Sequence, residues 1–289
     1  MLNALIKTMR PRQWTKNGFV FFGLIFDKQL FLIDPFLRTL AGFGLFCLIS
    51  SAVYLFNDIF DVEADRNHPE KKNRPIASGK LPIPAAWSAA ILLTIVAVPL
   101  AFLLSPIFAL ILTSYLVINL LYSRWLKHVS ILDVLIVSSG FVLRVAAGVA
   151  LITVERFSPW LYMITILFSL YIGLGKRRAE MNLLAQGASA HRKVFEGYTI
   201  PLLDQYITIV SGMTIVAYSL YTFSAPNLPA DHTMMLTIPF VVYGIFRYLQ
   251  LIQLGHAAGS PDEVALKDRP LQLTVVLWGL TVIAIFYLS

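Results

Sequence analysis

Asn57, Asp58, Asp61 and Asp65 stand at the end of a long apolar stretch, in a chain that otherwise avoids charge. At about 100° per residue these four positions share one face of a helix, and Ser50 and Tyr54 carry the stripe back by one and two turns. Three carboxylates brought together resist ionisation unless a cation neutralises them. A hard divalent ion wants oxygen ligands, and Mg²⁺ typically combines one or two carboxylates with the phosphates of a substrate. The stripe points to Asp58, Asp61 and Asp65 as metal ligands, with Asn57 beside them, in an enzyme embedded in a membrane and acting on a diphosphate.

The stretch from Arg66 to Lys80 follows directly and is basic. A positively charged cytoplasmic loop would account for its lysines. It would not account for three carboxylates spaced for one helix face, which a metal site followed by a phosphate-binding loop does. Lys72 and Arg74 are the candidates for the diphosphate, while His68, alone in a polar loop, reads as solvated.

A second polar group runs from Gly173 to Glu180 and contains Gly175, Lys176, Arg177 and Arg178. On a helix Lys176, Arg177 and Glu180 share a side and Arg178 points nearly opposite. Glu180, one turn from Lys176, is placed to hold that lysine, and a lysine with an arginine suits a phosphate.

Asp133 and Arg144 also return to one direction, together with Gly140, Ala147 and Gly148. Small residues on a membrane helix mark close packing, and ionisable ones there face the bundle interior. Tyr122, Ser123 and Lys127 bring hydroxyls and a cation to the same level, where Trp125 reads as an interface aromatic. Arg10 and Lys16 are candidates for an anionic substrate near the N-terminus. Asp262, Glu263 and Asp268 read as solvated, or paired with Lys267 and Arg269.

The elements that must position these groups follow from hydropathy. The chain is 57% hydrophobic and 13% charged, with a mean hydropathy of +0.73, far from a soluble domain. Nine apolar spans are expected, over 17–33, 36–58, 84–104, 106–123, 130–153, 158–179, 202–224, 234–256 and 270–288. Each is near the roughly 20 residues that cross a hydrocarbon core. Ser105-Pro106 marks a tight reversal between the third and fourth. The expectation is an all-α polytopic membrane protein forming a single domain over 1–289, with residues 1–16 as a short interfacial segment.

Alternate loops, starting with residues 1–16, hold every Lys and Arg except Lys28 and Arg156 in the opposite loops and Arg38, Arg144 and Arg247 within spans. By the positive-inside rule the N-terminus is cytoplasmic and the C-terminus outside. These loops and anionic lipid or substrate account for the net charge of +7, so no nucleic acid is called for. The single cysteine, Cys47, rules out an intrachain disulfide and reads as core packing. Walker loops, nucleotide-binding glycine fingerprints, zinc motifs and hydrolase elbows are absent from the sequence.

Asn57-Asp58-x-x-Asp61-x-x-x-Asp65 within nine spans resembles the UbiA superfamily of intramembrane prenyltransferases, over essentially the whole chain. That resemblance implies an isoprenoid diphosphate held through Mg²⁺ by two aspartate-rich motifs. Here the second acidic motif is replaced by Lys176-Arg177-Arg178-Ala179-Glu180. In this the chain resembles the decaprenyl-phosphate phosphoribosyltransferase branch, as it does in Arg10-Pro11-x-Gln13-Trp14-x-Lys16-Asn17, Tyr122-Ser123-x-x-Leu126-Lys127, Leu143-Arg144 and Asp268-Arg269-Pro270-Leu271.

The resemblance implies Mg²⁺-dependent transfer of 5-phosphoribose from phosphoribosyl diphosphate to a polyprenyl phosphate, in a bacterial plasma (inner) membrane, with room for a homo-oligomer. Asp58, Asp61, Lys176 and Arg177 would be catalytic. Arg10, Lys16, Asn57, Lys72, Arg74, Tyr122, Ser123, Lys127, Arg144 and Glu180 would bind or orient substrate. A prenyltransferase with an aromatic acceptor is the competing reading and lacks its second acidic cluster. A carrier for lipid phosphates would leave the carboxylate stripe without purpose.

Overall fold

The computed structural model describes residues 1–69, 71–154, 159–185, 193–225, 228–254 and 267–287. Among them every regular element is helical: α1 Leu2–Met9, α2 Phe22–Phe26, α3 Ile33–Phe60, α4 Val62–Arg66, α5 Ile83–Leu104, α6 Pro106–Arg124, α7 Leu132–Val149, α8 Pro159–Ala185, α9 Ile200–Ser224, α10 Ile238–Gln253 and α11 Arg269–Tyr287, joined by short 3₁₀ segments. The chain forms two compact units, residues 1–136 with 140–154, and 137–139 with 155–289. Arg156, Arg192, Asp262 and Glu263 lie outside the described residues.

Eight helices among the described residues are long and apolar enough to cross a membrane, not the nine expected. The difference lies in 17–33. Residues Pro11–Phe21 wind as a 3₁₀ helix, α2 adds little more than one turn, and Lys28 turns with a φ of 57° before α3 begins at Ile33. The segment still runs antiparallel along α3. Arg10 meets Asp58, Trp14 meets Ser51, Asn17 meets Ser50 and Cys47, and the ring of Phe21 lies 5.7 Å from Phe43 and 6.3 Å from Phe36. At about 2.0 Å per 3₁₀ residue and 1.5 Å per α residue, residues 11–26 reach about 30 Å, the thickness of a hydrocarbon core.

The other spans end where their local chemistry directs. Ser105 is extended between α5 and α6, and its hydroxyl accepts from the Phe108 amide at 3.3 Å, with Pro106 opening the new helix. This is the tight reversal expected at Ser105-Pro106. On α5 the alanines 86, 90, 97 and 101 are buried while Leu92, Ile95 and Leu103 are exposed. Small residues inside and large apolar ones outside is the arrangement of a helix facing lipid.

In the first unit Phe46, Ile49, Leu55, Phe108 and Leu112 form the core between α3, α5 and α6. The small-residue face of α7 packs as expected, because a side chain at Gly148 would overlap the Val20 carbonyl of the 3₁₀ segment. In the second unit α8 pairs with α9 and α10. A Cβ on Gly175 would press into Ile252 and Tyr248, so the glycine lets α10 approach just before Lys176. Tyr171 Oη donates to the Ile245 carbonyl at 2.6 Å.

Candidate active site

The expected helix through the carboxylates stops early. α3 ends at Phe60, Asp61 sits at the break (φ −94°, ψ 5°), and α4 starts at Val62. The stripe nevertheless converges in part. Asp58 and Asp65 are 2% and 3% exposed, and Arg74 Nη1 donates to both, at 3.1 Å to Asp58 Oδ1 and 2.7 Å to Asp65 Oδ2. Arg10 Nη2 donates to the same Asp58 oxygen at 2.6 Å. Asp61 is more open and pairs with Lys127, which follows the end of α6. Asn57 is half-buried beside them.

The basic partners are held by their own local structure. Arg74 lies just before Ile76, which like Leu81 is 1% exposed, and the Leu81 amide closes the loop onto the Pro75 carbonyl at 2.9 Å. Lys72, two residues earlier, is exposed. Arg10 ends α1 in the left-handed region (φ 53°, ψ 60°) directly before Pro11, a conformation rare for any residue but glycine and disfavoured before proline. Its guanidinium crosses the Tyr54 ring at 4.8 Å on the way to Asp58. Backbone strain of this kind persists where surrounding contacts over-determine it.

Arg144 faces the interior, as its place on the small-residue face of α7 implied. It is 5% exposed, and its donors end on Asn17 Oδ1 (2.9 Å), the Gly140 carbonyl (2.7 Å) and Tyr115 Oη (2.9 Å), with the rings of Phe46, Tyr115 and Phe141 around it. Tyr122 and Lys16 are half-buried, and Ser123 is buried near the end of α6.

The second unit holds the other polar group. Arg177 is buried and pairs with Glu180 on its own helix, so the glutamate holds Arg177; Lys176 is half-buried beside them. Arg178 does point the other way, yet it is buried, donating to Asp204 at 2.6 Å, Gln253 at 2.7 Å and the Ile252 carbonyl at 3.3 Å. It ties α8 to α9 and α10. Asp268, expected to be solvated or near Lys267 and Arg269, is instead paired with Arg247 at 2.8 Å and caps α11 through the Leu271 amide at 2.9 Å. The Arg247 hydrogen bonds hold its carboxyl below the usual carboxylate range.

The structure thus brings Arg10, Asp58, Asp65 and Arg74 into one charged cluster, with Asp61 and Lys127 as a neighbouring pair. Among the described residues no three His, Cys, Asp or Glu side chains form a ready metal cluster. The donor set still suits a hard cation, being made of carboxylate oxygens with the Asn57 amide nearby. Each ion pair engages one oxygen of its carboxylate, Asp58 Oδ1, Asp61 Oδ1 or Asp65 Oδ2. A positive nitrogen already stands between Asp58 and Asp65, where a metal ion's charge would answer the same two groups.

The contacts of Asn17 and Tyr115 with Arg144, and of Arg178 with Asp204, are not legible from local spacing. The signal for Asn17 is a polar side chain at the border between the basic N-terminal run and the apolar stretch, opposite a helix carrying Cys47, Ser50 and Ser51 at helical spacing.

Comparison with known proteins agrees with this geometry. A profile of the UbiA prenyltransferase family matches residues 18–262. The decaprenyl-phosphate phosphoribosyltransferase of Mycolicibacterium smegmatis is 36% identical over 306 aligned residues, covering 100% of this chain and 94% of that one. The protein of the same name from Mycobacterium tuberculosis is 35% identical, covering 98% of this chain and 94% of that one. Among solved structures, a UbiA homolog from Archaeoglobus fulgidus bound to GPP and Mg²⁺ superposes with a TM-score of 0.71 at 17% identity, covering 99% and 98% of the two chains. That likeness concerns the fold.

Proposed function

The chain belongs to the UbiA prenyltransferase family, and within it we propose that this integral membrane protein transfers 5-phosphoribose from phosphoribosyl diphosphate to a polyprenyl phosphate such as decaprenyl phosphate, releasing diphosphate. The observation that carries this is the end-to-end similarity to relatives bearing that activity in their names. The basic group Lys176-Arg177-Glu180, standing where a prenyltransferase would carry a second acidic motif, supports it.

In the reaction a phosphate oxygen of the lipid attacks the anomeric carbon. The carbon–oxygen bond to the diphosphate breaks, and its electron pair leaves with the diphosphate. The nucleophile is already anionic, so no strong general base is needed. The chain's task is to hold two mutually repelling anions in line. Mg²⁺, when bound, would neutralise the diphosphate and stabilise it as a leaving group. Asp58, Asp61 and Asp65 with Asn57 would hold that ion.

Arg10, Lys72 and Arg74 take the diphosphate oxygens, and Tyr122, Ser123 and Lys127 orient the anions from the end of α6. Lys16 faces the same anions from the N-terminal segment. Lys176 and Arg177, the latter steadied by Glu180, take the phosphate of the sugar or of the lipid. The protein acts as one transferase domain over 1–289 with residues 1–16 at the interface. It sits in a bacterial inner membrane, N-terminus cytoplasmic and C-terminus outside. The antiparallel segment 11–26 serves as a ninth crossing beside the eight helices, and the basic loops lie on the cytoplasmic side.

The test is direct. Purified protein with Mg²⁺, polyprenyl phosphate and labelled phosphoribosyl diphosphate should yield lipid-extractable label. Label transfer from an isoprenoid diphosphate to an aromatic acceptor instead would favour the prenyltransferase reading.

A further inference from the structure

Along the first unit the 3₁₀ segment is fastened to α3 by side chains in antiparallel order. Asn17 Nδ2 donates to Ser50 Oγ at 3.1 Å and Cys47 Sγ at 3.3 Å. Trp14 Nε1 donates to Ser51 Oγ at 3.1 Å, and that hydroxyl lies 3.3 Å from the Met9 carbonyl and 2.7 Å from the Cys47 carbonyl. Arg10 closes the row over Tyr54 and onto Asp58. On α3 the partners Cys47, Ser50, Ser51, Tyr54 and Asp58 follow the spacing of one helix face.

The inner end of this row is the most tightly held. Asn17 is 0% exposed and engages both ends of its amide, with Oδ1 accepting from Arg144 Nε. An asparagine is short, planar and both donor and acceptor, so it alone fits two donations to α3 and one acceptance from α7. Arg144 in turn reaches Tyr115 on α6 and forms no ion pair with a described carboxylate. A buried guanidinium is costly in a membrane protein, and here one of its donors is spent on Asn17 while the others anchor it to Gly140 and Tyr115.

The geometry points to Asn17 as a positioning residue: clamped by Arg144, it fixes the register of the N-terminal segment on α3 and thereby delivers Arg10 to Asp58. The left-handed backbone of Arg10 before Pro11 passes that register on as a rigid turn, so a shift at Asn17 is carried to the guanidinium. This inference rests on the proposed function only in taking the Asp58 cluster to receive a diphosphate.

The chain supplies its own reporter, since Cys47 is its single cysteine, is buried and touches Asn17. The full chain in lipid nanodiscs is labelled with a small membrane-permeable maleimide, and the affinity for Mg²⁺ with inorganic diphosphate is measured by calorimetry. Asn17→Ala should speed Cys47 labelling about tenfold or more as the segment opens, whereas Arg10→Ala should not. Each should weaken diphosphate binding by about tenfold, and the double variant should be little worse than either single one, because both remove the same delivered contact.

Arg144→Lys, which keeps the charge and loses the fork, should reproduce both effects if Asn17→Ala does not fold. Unchanged Cys47 labelling, or losses that multiply in the double variant, would overturn the inference. Neither readout requires turnover, so a chain that binds diphosphate but transfers no ribose would sink the proposed reaction and leave this result standing.

Discussion

Asp58 and Asp65 face the same guanidinium nitrogen: Arg74 Nη1 lies 3.1 Å from an oxygen of the first and 2.7 Å from an oxygen of the second. Two buried carboxylates on either side of a helix break would repel one another without it. The arginine therefore supplies, from within the chain, the positive charge that a metal ion would bring with a diphosphate. Under the proposed function, a diphosphate brought with Mg²⁺ would give Arg74 and Arg10 a new partner and the carboxylates a new cation. Loading would then be an exchange of ion pairs and not the creation of charge in a dry site, which would keep the desolvation cost low.

That exchange makes Arg74→Gln informative. Removing one partner of a buried ion pair costs about 3 kcal/mol, because the other charge is left uncompensated. The variant should unfold at lower temperature in chelator, and added Mg²⁺ alone should restore part of the loss. Wild type should respond strongly only to Mg²⁺ together with diphosphate. A thermal shift series with and without Mg²⁺ decides it, and equal Mg²⁺ responses in the two proteins would count against the exchange.

Asp58→Asn and Asp61→Asn should each lower phosphoribosyl transfer by about 100-fold or more, since loss of even an outer-shell partner at a metal site costs up to that much. Turnover at limiting Mg²⁺ is the measurement. Near-normal rates in both variants would remove the carboxylates from the mechanism.

Lys176, Arg177 and Arg178 should separate by kind of damage. Loss of a charge-assisted hydrogen bond is worth about 1.5–3 kcal/mol, so Lys176→Ala and Arg177→Ala should slow transfer roughly 10- to 150-fold in folded protein. Arg178→Ala leaves Asp204 and Gln253 without their donor and should act mainly on stability. Melting temperature and turnover per folded molecule, measured on all three, separate the two. Equal loss of turnover without destabilisation at Arg178 would assign it to substrate as well.

What could be read in advance followed from periodicity and charge. The basic loop after the carboxylates, the Ser105-Pro106 reversal and the small face of α7 depend on local spacing, and the structure has them, whereas the carboxylate stripe converges only in part. The break at Asp61 was hidden because an angular argument assumes one uninterrupted helix. The 3₁₀ course of residues 11–21 was hidden because composition does not record which helical winding a stretch takes. Arg144, Arg178 and Asp268 found partners far along the chain, in Asn17, Asp204 and Arg247, and such pairings are set by tertiary packing that no sequence window contains.

The Asp268–Arg247 pair carries a pH signature for the second unit. Asp268 is held below the usual carboxylate range by Arg247, so its folded value is the depressed one. The stability it contributes is fully present above the unfolded value of about 3.9 and is lost as pH falls through the lower folded value. The difference in melting temperature between wild type and Asp268→Asn should be constant from neutrality to about pH 5 and should shrink only in more acidic buffer. A difference that already disappears near pH 6 would mean that another group, and not this carboxylate, governs the clasp between α10 and α11.

Stereochemistry tests the reaction itself. A nucleophile already charged, attacking opposite the departing diphosphate, inverts the anomeric carbon in a single displacement. A double displacement with retention would need a carboxylate able to take the ribosyl group. The carboxylates of the charged groups are engaged: Asp58 with Arg10 and Arg74, Asp61 with Lys127, Asp65 with Arg74, and Glu180 with Arg177. A retaining enzyme would have to free one of them and bring it against the face opposite the leaving group. The lipid-linked product should therefore carry the anomeric configuration opposite to that of the donor, as read by the anomeric coupling in its NMR spectrum. Retention, or a ribosylated peptide trapped from the reacting protein, would replace the single displacement with a covalent mechanism.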